Sequence, residues 1–548
     1  MSTQLGINRR QMIQGLSATL GAFALRGFTV NAAANAHFTH GIASGDPLAD
    51  RVILWTRVLP GDGAATSLDC QWQVAEDAAF TRVIASGTRK ATAEHDFTVK
   101  VDAIGLKPSH RYFYRFIAND EVSPVGRTTT LPVGQVARFR MGVCSCSNYP
   151  QGYFNAYQDM ARAELDVVLH LGDYIYEYAD GVYSNPVATE ALGRHVEPRN
   201  ELLRVEDYRM RYGLYRTDQD LQAAHAAHPW ICVWDDHELA NDTYKDGAEN
   251  HNEGEGDFYQ RMAAARRVYH EWLPIRTAAQ SDQLPIYRQF PVGDLADIIM
   301  LDTRLEGRDK QLDYRLDMPE PADPARFKTE VLADPARTIL GADQEQWLVN
   351  QLAASKVRGA TWQVIGQQVL MGEVIVPKFP EEMLAAMDVP ERTKAWIMGM
   401  NQLAEFDMPW NLDAWNGYIG CRNRVYEAFT TLASNPVVLA GDTHNAWAFN
   451  LSNSDGQAVG VEIGCPGISS PGLETYLPLP VATVTEALLK SSPELVDVDT
   501  AQRGWAEVTL TPEATTSQWH FVSTVLDKAY TVIDGELLRC EAGARRFG

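Results

Sequence analysis

Four apolar, strand-like runs in this chain each end in acidic residues, and this arrangement narrows the possible folds more than any other part of the sequence. The runs are DVVLHLGD, WICVWDD, ADIIMLD and NPVVLAGD, which end at Asp173, at Asp235 and Asp236, at Asp302 and at Asp442. From about residue 137 they alternate with longer amphipathic stretches, a pattern typical of an α/β layer architecture. Because the site in an open α/β sheet lies outside the carboxyl ends of its strands, we expect these carboxylates to share one crevice.

A shared crevice of this kind predicts a site for several metal ions. Carboxylates that lie close together repel one another unless cations lie between them, and oxygen donors favour hard cations. The alternative is that each Asp caps the helix that follows it, which is the commoner arrangement for a single Asp. Four such ends favour the metal site, because further donors stand beside the acids: Cys146, Tyr176, His237, Asn241 and His444. Phosphoryl transfer to water is the chemistry that such a site suits.

Composition excludes several other classes of protein. The chain of 548 residues has a net charge of −23 at pH 7, which argues against nucleic-acid binding, since that would need a basic face. Seven cysteines are too few for a disulfide scaffold, and their number is odd. Walker A, GxSxG and GxGxxG patterns do not occur in suitable contexts.

Residues 1–36 have the features of an export signal. They contain no acidic residue, and the adjacent Arg9 and Arg10 precede a mild apolar stretch at 12–28 and an alanine cluster at 32–36. The paired arginines predict the twin-arginine (Tat) export route and therefore a periplasmic or extracellular location. An amphipathic N-terminal helix is the alternative interpretation.

The rest of the chain divides into two parts of different style. Residues 37–132 predict a small β-sandwich, because short alternating runs are separated by Gly, Pro, Asp and Asn. Residues 133–548 predict the α/β part, in which the helical candidates cover 153–165, 206–228, 258–273 and 343–355, with a helical excursion at 383–413. Near the C-terminus, GWAEVTLTP and SQWHFVSTV predict a pair of strands.

At this point the chain resembles a known family over nearly all of its length after the export signal. It is similar to the PhoD-type alkaline phosphatases/phosphodiesterases, a branch of the metallophosphatases, in HGIASGDPLADRVILWTRV, CSCSNYPQGYFNAY, HLGDYIYEY, VWDDHELAND, LDTR and VVLAGDTHNAW. The resemblance implies an N-terminal β-sandwich followed by a four-layer αββα metallophosphatase domain. It also implies a ferric ion with calcium ions nearby, and hydrolysis of phosphate mono- and diesters by a metal-activated hydroxide.

The resemblance also implies which residues bind the metals. GDYIY is similar to the GDxxY motif of purple acid phosphatases, which implies Asp173 as a bridging ligand and Tyr176 as a ligand of Fe³⁺. A phenolate is a hard, anionic ligand that favours Fe³⁺ over divalent ions. The family's SCxxY stretch implies Cys146 as an iron ligand, and GDTH implies Asp442 and His444 as metal ligands.

The motif DDHExxN implies the calcium side of the centre. We expect Asn241 there as a ligand, and Asp236 as a second candidate, while His237 is expected to contact the phosphate. Arg304 follows a strand end, where it could clamp the phosphate or form an ion pair with Asp302.

The choice between two cysteines is open, because the chain reads CSC where the family has one cysteine. Alternation along the run RFRMGVC predicts that Cys144 is a small buried residue, whereas Cys146 stands at the strand end, where we expect the ligand.

We expect the partners to be small-molecule phosphate esters, with phospholipid or polymeric phosphodiesters as further substrates, and the Tat machinery during export. We expect no specific nucleic-acid binding and a monomeric protein. A phospholipase D-like activity on phospholipid head groups is the alternative enzyme function. A secreted binding protein on an inactive metallophosphatase frame is the alternative of another class.

Overall fold

The computed structural model describes residues 38–61, 65–276, 285–380, 382 and 391–548. The predicted export signal at 1–36 and the first part of the predicted excursion at 383–390 lie outside the described residues. Within the described ranges, the helices are too short or too polar to cross a lipid bilayer.

The strands belong to three sheets. In chain order they are β1 (Ile42–Gly45), β2 (Arg51–Arg57), β3 (Ser67–Ala75), β4 (Val83–Thr92), β5 (Thr98–Ile104), β6 (Arg111–Ala118), β7 (Glu121–Val122), β8 (Gly126–Thr129), β9 (Phe139–Cys144), β10 (Val167–His170), β11 (Pro229–Cys232), β12 (Arg288–Val292), β13 (Ala296–Met300), β14 (Trp362–Gly366), β15 (Pro436–Ala440), β16 (Ala446–Ser452), β17 (Ala458–Gly464), β18 (Leu495–Asp499), β19 (Arg503–Leu510), β20 (Ala514–Val522), β21 (Val532–Asp534) and β22 (Leu538–Glu541).

Helices connect and cover these strands. They are α1 (Asn155–Arg162), α2 (Pro186–Glu190), α3 (Val205–Tyr215), α4 (Gln219–Ala227), α5 (Phe258–Trp272), α6 (Pro324–Arg326) continued by a π-helical turn (Phe327–Leu332), α7 (Ala342–Arg358), α8 (Glu391–Ala404), α9 (Ile419–Leu432), α10 (Leu473–Tyr476) and α11 (Val481–Ser491). Short 3₁₀ turns occur at Ala93–His95, Tyr149–Gln151 and Trp415–Gly417.

Two large sheets pack face to face between layers of helices. The first has the order β21-β20-β19-β9-β10-β11-β1-β2-β5 with β22 beside β20, and the second has the order β12-β13-β14-β15-β17-β16-β18. Alternation along β15 shows the layering, because Val437 and Leu439 lie in the core between the sheets. Val438 and Ala440 point the other way, into a second core with α7 and α9. The αββα sandwich predicted from the sequence is therefore confirmed.

The N-terminal part is built mainly of strands, as predicted, but it does not stand apart from the large sheet. A five-stranded sheet of β3, β4, β6, β7 and β8 packs on β2 and β5 through a core that includes Val52, Leu54, Val101 and Tyr112. Strand β1 pairs with β11 in parallel, so one layer of the sandwich continues the first large sheet. The domain boundary at residue 132 stays a prediction.

The helical stretch predicted at 206–228 is two helices rather than one. Helix α3 ends at Tyr215 and α4 begins at Gln219. Asp218 explains the break, because its carboxylate accepts the backbone N–H groups of Asp220 and Leu221 and caps α4. The other predicted helices match α1, α5 and α7 with small shifts at their ends.

Parallel pairing determines where the acids meet. Strands β9, β10 and β11 run parallel in the first sheet, and β13, β14, β15 and β17 run parallel in the second. Their carboxyl ends lie at one edge of the sandwich, where each parallel strand gives way to a loop.

Candidate metal centre and active site

Potential metal ligands from the ends of β9, β10, β11 and β15 lie together in one cluster. Three overlapping groups have ligand atoms within 4.8 Å of one another: Cys146 with Asp173 and His444, Asp173 with Asp236 and His237, and Asp235 with Asp236 and Asp442. Asp173 belongs to two of the groups and Asp236 to two, so the three groups form a continuous set of donors, which we call the donor cluster.

The loop after β10 places Asp173 at the centre of the donor cluster. Its backbone is left-handed (φ 56°), and its N–H donates to Glu238 Oε2 over 3.0 Å. The preceding Gly172 has φ 109°, and a Cβ there would lie 2.3 Å from Cβ of Asp235, so the close approach of the two loops requires glycine. Oδ1 of Asp173 is buried and has no hydrogen-bond partner among the described residues, which suits a carboxylate that binds a cation.

Tyr176 follows Asp173 by three residues in the same loop, and its hydroxyl faces the donor cluster. Its hydroxyl is 3.0 Å from Oδ2 of Asp173, 3.2 Å from Nε2 of His444 and 2.7 Å from Oγ of Ser470. Burial, followed by the nearby Asp173 carboxylate, raises the pKa of this phenol well above its ordinary value. A bound cation would act in the opposite direction and favour the phenolate.

The structure separates the two cysteines of the CSC sequence. Cys146 has a left-handed backbone (φ 60°), and its Sγ belongs to the donor cluster and lies 3.1 Å from Oγ of Ser145. Cys144 is the last residue of β9, and its Sγ points to the carbonyl of Leu169 within the core between the sheets. All seven cysteines lie in the described part of the chain and are free thiols.

The loop after β15 contributes two donors. Asp442 and His444 both have a left-handed backbone with φ 64°. Nδ1 of His444 lies 2.8 Å from the carbonyl oxygen of Pro471, to which it donates, and this fixes the imidazole so that Nε2 faces Tyr176 and Asp173.

His237 is held by a buried carboxylate. Its Nδ1 lies 2.7 Å from Oε2 of Glu177, and the other oxygen of Glu177 accepts the backbone N–H of Asn241 and the side-chain amide of Asn250. Asn241 therefore lies at the edge of the site, where its own amide nitrogen is 3.2 Å from Oε2 of Glu249.

Arg304 is buried inside the acidic cluster and does not line the open cavity. Its guanidinium forms ion pairs with Asp235, with Asp413 (2.7 Å) and with Asp442 (2.9 Å), and lies 3.8 Å from Asp236. These contacts occupy its donors, so Arg304 holds carboxylates of three separate loops in place.

Asp302, which ends the third of the four strand-like runs, is turned away from the donor cluster. Its Oδ1 accepts the backbone N–H groups of Arg304 and Leu305, and its Oδ2 accepts the indole N–H of Trp234. Loop N–H groups and an indole thus satisfy this carboxylate, although residues 303–310 form no helix for it to cap. The ion pair considered between Arg304 and Asp302 is replaced by the pairs described above.

The carboxylates of the site have strongly perturbed pKa values. Burial raises the pKa of Asp173 and of Asp442 well above the ordinary value, and raises that of Asp235 to about 6, that of Asp242 to about 7 and that of Glu238 to about 8. Each of these groups also meets neighbouring carboxylates, which act in the same direction. The protein alone therefore supplies too little positive charge for its acids.

Asp236 behaves differently. Burial raises its pKa, but the guanidinium of Arg304 and the imidazole of His237 together outweigh burial, so the net shift is downward.

A cavity of about 320 Å³, which we call the central cavity, opens onto the donor cluster. Its lining includes Asp173, Tyr178, Tyr183, Asp236, His237, Asn241, Asp242, Asp442 and His444. Most of the site residues predicted from the sequence thus line one cavity. The exceptions are Cys146, Tyr176 and Arg304, which are buried behind the cavity wall.

Several residues of the site were missed by sequence reasoning. Glu238 and Glu177 belong to motifs already quoted, and the signal for them was their position within three residues of a predicted ligand. Asp413 comes from the end of the predicted excursion and carries no local signal, because its partner Arg304 is 109 positions away.

The family models give an independent comparison. The model described as PhoD-like phosphatase matches residues 141–519, and the model of the N-terminal domain of PhoD-like phosphatase matches residues 24–132. Together they cover most of the chain.

Two relatives extend this comparison. The chain is 35% identical over 538 residues to "Alkaline phosphatase D" of Bacillus subtilis (strain 168), and the match covers 93% of this chain and 83% of the relative. A solved structure described as "Structure of PhoD" matches with a TM-score of 0.79 and 31% identity, over 94% of this chain and 92% of the solved chain.

Proposed function

The chain belongs to the PhoD-like phosphatase family and is a phosphate ester hydrolase, and on this premise we propose that it is an exported, metal-dependent alkaline phosphatase and phosphodiesterase. The observation that carries the metal dependence is the donor cluster, in which donors from four strand ends lie within 4.8 Å of one another in overlapping groups. Buried carboxylates this close together are stable when cations neutralise them.

The donor set fits the two kinds of metal ion that the family resemblance implies. Cys146 and Tyr176 offer a thiolate and a phenolate, which favour Fe³⁺ when they act together with Asp173 and the Asp442–His444 loop. On the other side, Asp236 and Asn241 offer oxygen donors of the kind that Ca²⁺ prefers. The unpartnered oxygens Oδ1 of Asp173 and Oδ2 of Asp235, within the described structure, support this assignment.

Cations held in this cluster would activate water as the nucleophile and stabilise the charge that develops on the phosphate. The chain's own residues orient the reactants. His237 lines the central cavity with its Nδ1 fixed by Glu177, so its other ring nitrogen is available to hydrogen-bond a phosphate oxygen. Arg304 keeps Asp235 and Asp442 in position, and Glu238 does the same for the Asp173 loop through two backbone N–H groups.

Export is the second part of the proposal. The paired Arg9 and Arg10, the apolar stretch and the alanine cluster support Tat transport and a periplasmic or extracellular location. The Tat route carries folded proteins, which suits an enzyme that takes up its metals before it leaves the cytoplasm.

The test uses the full chain, produced with its own N-terminal segment. We expect hydrolysis of p-nitrophenyl phosphate and of bis(p-nitrophenyl) phosphate, loss of both activities with a calcium chelator, and bound iron and calcium in elemental analysis. Asp173→Asn should abolish turnover and reduce the metal content, whereas Asp455→Asn, on an exposed turn, should not. Full activity of the Asp173→Asn variant, or activity without either metal, would overturn the proposal.

A further inference from the structure

Two buried side chains behind Cys146 extend the donor cluster into the contact between the two large sheets. The hydroxyl of Ser145 lies 3.1 Å from Sγ of Cys146 and 3.3 Å from Sγ of Cys465, so one oxygen connects the two sulfurs. Ser145 directly follows the last residue of β9 in the first sheet, and Cys465 directly follows the last residue of β17 in the second. All three residues are 0% exposed. We call these three groups the hydroxyl–sulfur chain.

Backbone contacts hold the hydroxyl–sulfur chain in place. The carbonyl oxygen of Ser145 accepts the N–H of Ile468 over 3.0 Å, and Ser145 forms a parallel bridge with Gly467. A Cβ on Gly441 would lie 2.7 Å from Oγ of Ser145, so the hydroxyl has room only because position 441 has no side chain. The backbone N–H of Cys465 donates to the last carbonyl of β15 over 2.9 Å. The main chain therefore determines where the hydroxyl and the second sulfur lie.

The supply of hydrogen atoms determines the direction of the chain in each state of Cys146. While Cys146 is a thiol, its S–H donates to Ser145, whose own O–H can then be donated to Cys465. A cysteine that binds a metal ion is a thiolate and has no hydrogen to donate. Ser145 then donates its one hydrogen to Cys146 and accepts the S–H of Cys465. The same three groups are therefore hydrogen-bonded both without and with a metal ion.

Cys144 lies in the same core but is not part of the hydroxyl–sulfur chain. It is as completely buried as Cys465, and its Sγ lies 3.8 Å from the carbonyl oxygen of Leu169. The hydrogen of Cys144 thus ends on a backbone acceptor, whereas Cys465 contacts a hydroxyl that itself contacts a member of the donor cluster. Packing of a small buried residue does not require a hydroxyl, because burial of a polar group is costly unless it is hydrogen-bonded.

We propose that Ser145, supported by Cys465, donates a hydrogen bond to the Cys146 thiolate and thereby limits the electron density that this sulfur gives to iron. The inference rests on the proposed iron site and adds two positioning residues to it, neither of which belongs to the donor cluster. A hydrogen bond to a metal-bound sulfur favours the reduced ion, in which the sulfur carries more negative charge. A thiolate that donates less also leaves more positive charge on the cation, which favours the activation of water.

The test measures the reduction potential and the visible charge-transfer band of the iron-loaded full chain. Ser145→Ala removes the hydroxyl and leaves the rest of the side chain in place. We expect the Fe³⁺/Fe²⁺ equilibrium to shift about tenfold toward Fe³⁺, which lowers the potential by about 59 mV for a one-electron couple. The charge-transfer band should move to lower energy, because the sulfur becomes richer in electrons. Elemental analysis should find the iron content of the unsubstituted protein, since the members of the donor cluster are unchanged.

Variants of the second sulfur assign the effect to the whole chain. Cys465→Ala should shift the potential and the band in the same direction but by less, because Ser145 still donates to Cys146 and loses only the donor that polarises it. Cys465→Ser supplies an O–H in place of the S–H and should restore the values of the unsubstituted protein. Cys144→Ala is the matched control, because it removes an equally buried sulfur from the same core, and it should leave the potential and the band unchanged.

The outcomes separate this inference from the proposed function. An unchanged potential and band in Ser145→Ala, or an equal shift in Cys144→Ala, would mean that the hydroxyl–sulfur chain only fills the core, and the inference is then wrong. Loss of iron from Ser145→Ala would assign the hydroxyl to metal binding and overturn the inference as well. If Ser145→Ala does not fold, Cys465→Ala and Cys465→Ser decide by the same criterion. If the unsubstituted protein binds no iron, or Cys146→Ser retains the same band, the proposed iron site itself fails.

Discussion

Oε2 of Glu177 lies 2.7 Å from Nδ1 of His237, and both side chains are buried at the edge of the donor cluster. The carboxylate holds a proton on Nδ1 of His237. It also fixes the imidazole ring, whose centroid lies 4.3 Å from the ring centroid of Tyr176. An outer carboxylate of this kind is typical of histidines that must present their second nitrogen to a metal or a substrate.

The substitution Glu177→Gln tests this relationship. The glutamine amide has the same size, but only its oxygen accepts hydrogen bonds, whereas both oxygens of Glu177 accept them. The side chain can therefore no longer satisfy His237 on one side and the asparagine N–H groups on the other, and the ring of His237 is held less firmly. We expect kcat for p-nitrophenyl phosphate to fall about 10- to 100-fold. The exposed Glu253→Gln is the control and should leave kcat unchanged, and equal kcat values in the two variants would contradict the role given to Glu177.

Replacement of either cysteine of the CSC sequence distinguishes ligand from core residue. Cys146→Ser should lower activity at least 100-fold and remove most of the bound iron, because serine is a poor substitute for a thiolate ligand. Cys144→Ser should retain its iron and most of its activity, although a hydroxyl in the core will lower the free energy of unfolding by about 1 to 3 kcal/mol. Elemental analysis and visible absorption of both variants give the answer, and iron loss in Cys144→Ser alone would reverse the assignment.

Metal removal should destabilise the folded protein as well as inactivate it. Without cations the acids of the donor cluster repel one another, and ligands that bind only the folded state stabilise it by about 2.7 kcal/mol at 100 times their Kd. We therefore expect Tm to fall in EDTA and to recover with added calcium, measured by calorimetry. The shift should be smaller in Asp173→Asn, and an identical Tm with and without EDTA would exclude bound structural cations.

The sequence predicted the donors that follow regular strands, because parallel pairing carries strand ends to one edge whatever the details of packing. Asp173, Asp236 and Asp442 reach the donor cluster for this reason, and the end of β9 at Cys144 leaves Cys146 in the loop that follows, where the ligand was expected. The family resemblance then supplied the identity of the metals, which remains a prediction.

Features that depend on distant or competing contacts were beyond sequence reasoning. Asp302 follows a strand like the other acids, but two local N–H groups and the indole of Trp234 satisfy its carboxylate first. Asp413 and Arg304 form an ion pair although they are 109 positions apart in the chain. The parallel pairing of β1 with β11 likewise joins residues far apart in the chain, Ser44 with Pro229 and Gly45 with Trp230, for which no local pattern exists.

Glu462, which is not part of the donor cluster, provides a pH-dependent test of the core. Its buried carboxylate accepts the N–H groups of Met371 and Gly372 at 2.7 Å each, and burial raises its pKa from 4.5 to about 7. The folded state therefore binds more protons than the unfolded state between these values, so this group's contribution to stability is full below pH 4.5 and is lost as pH rises through 7. Glu462→Gln does not titrate. The free energy of unfolding of this variant minus that of the unsubstituted protein should therefore increase by about 2 to 3 kcal/mol from pH 5 to pH 8. Urea unfolding at the two pH values measures this difference, exposed Glu486→Gln should show none, and parallel profiles for Glu462→Gln would mean that the carboxylate is ionised throughout.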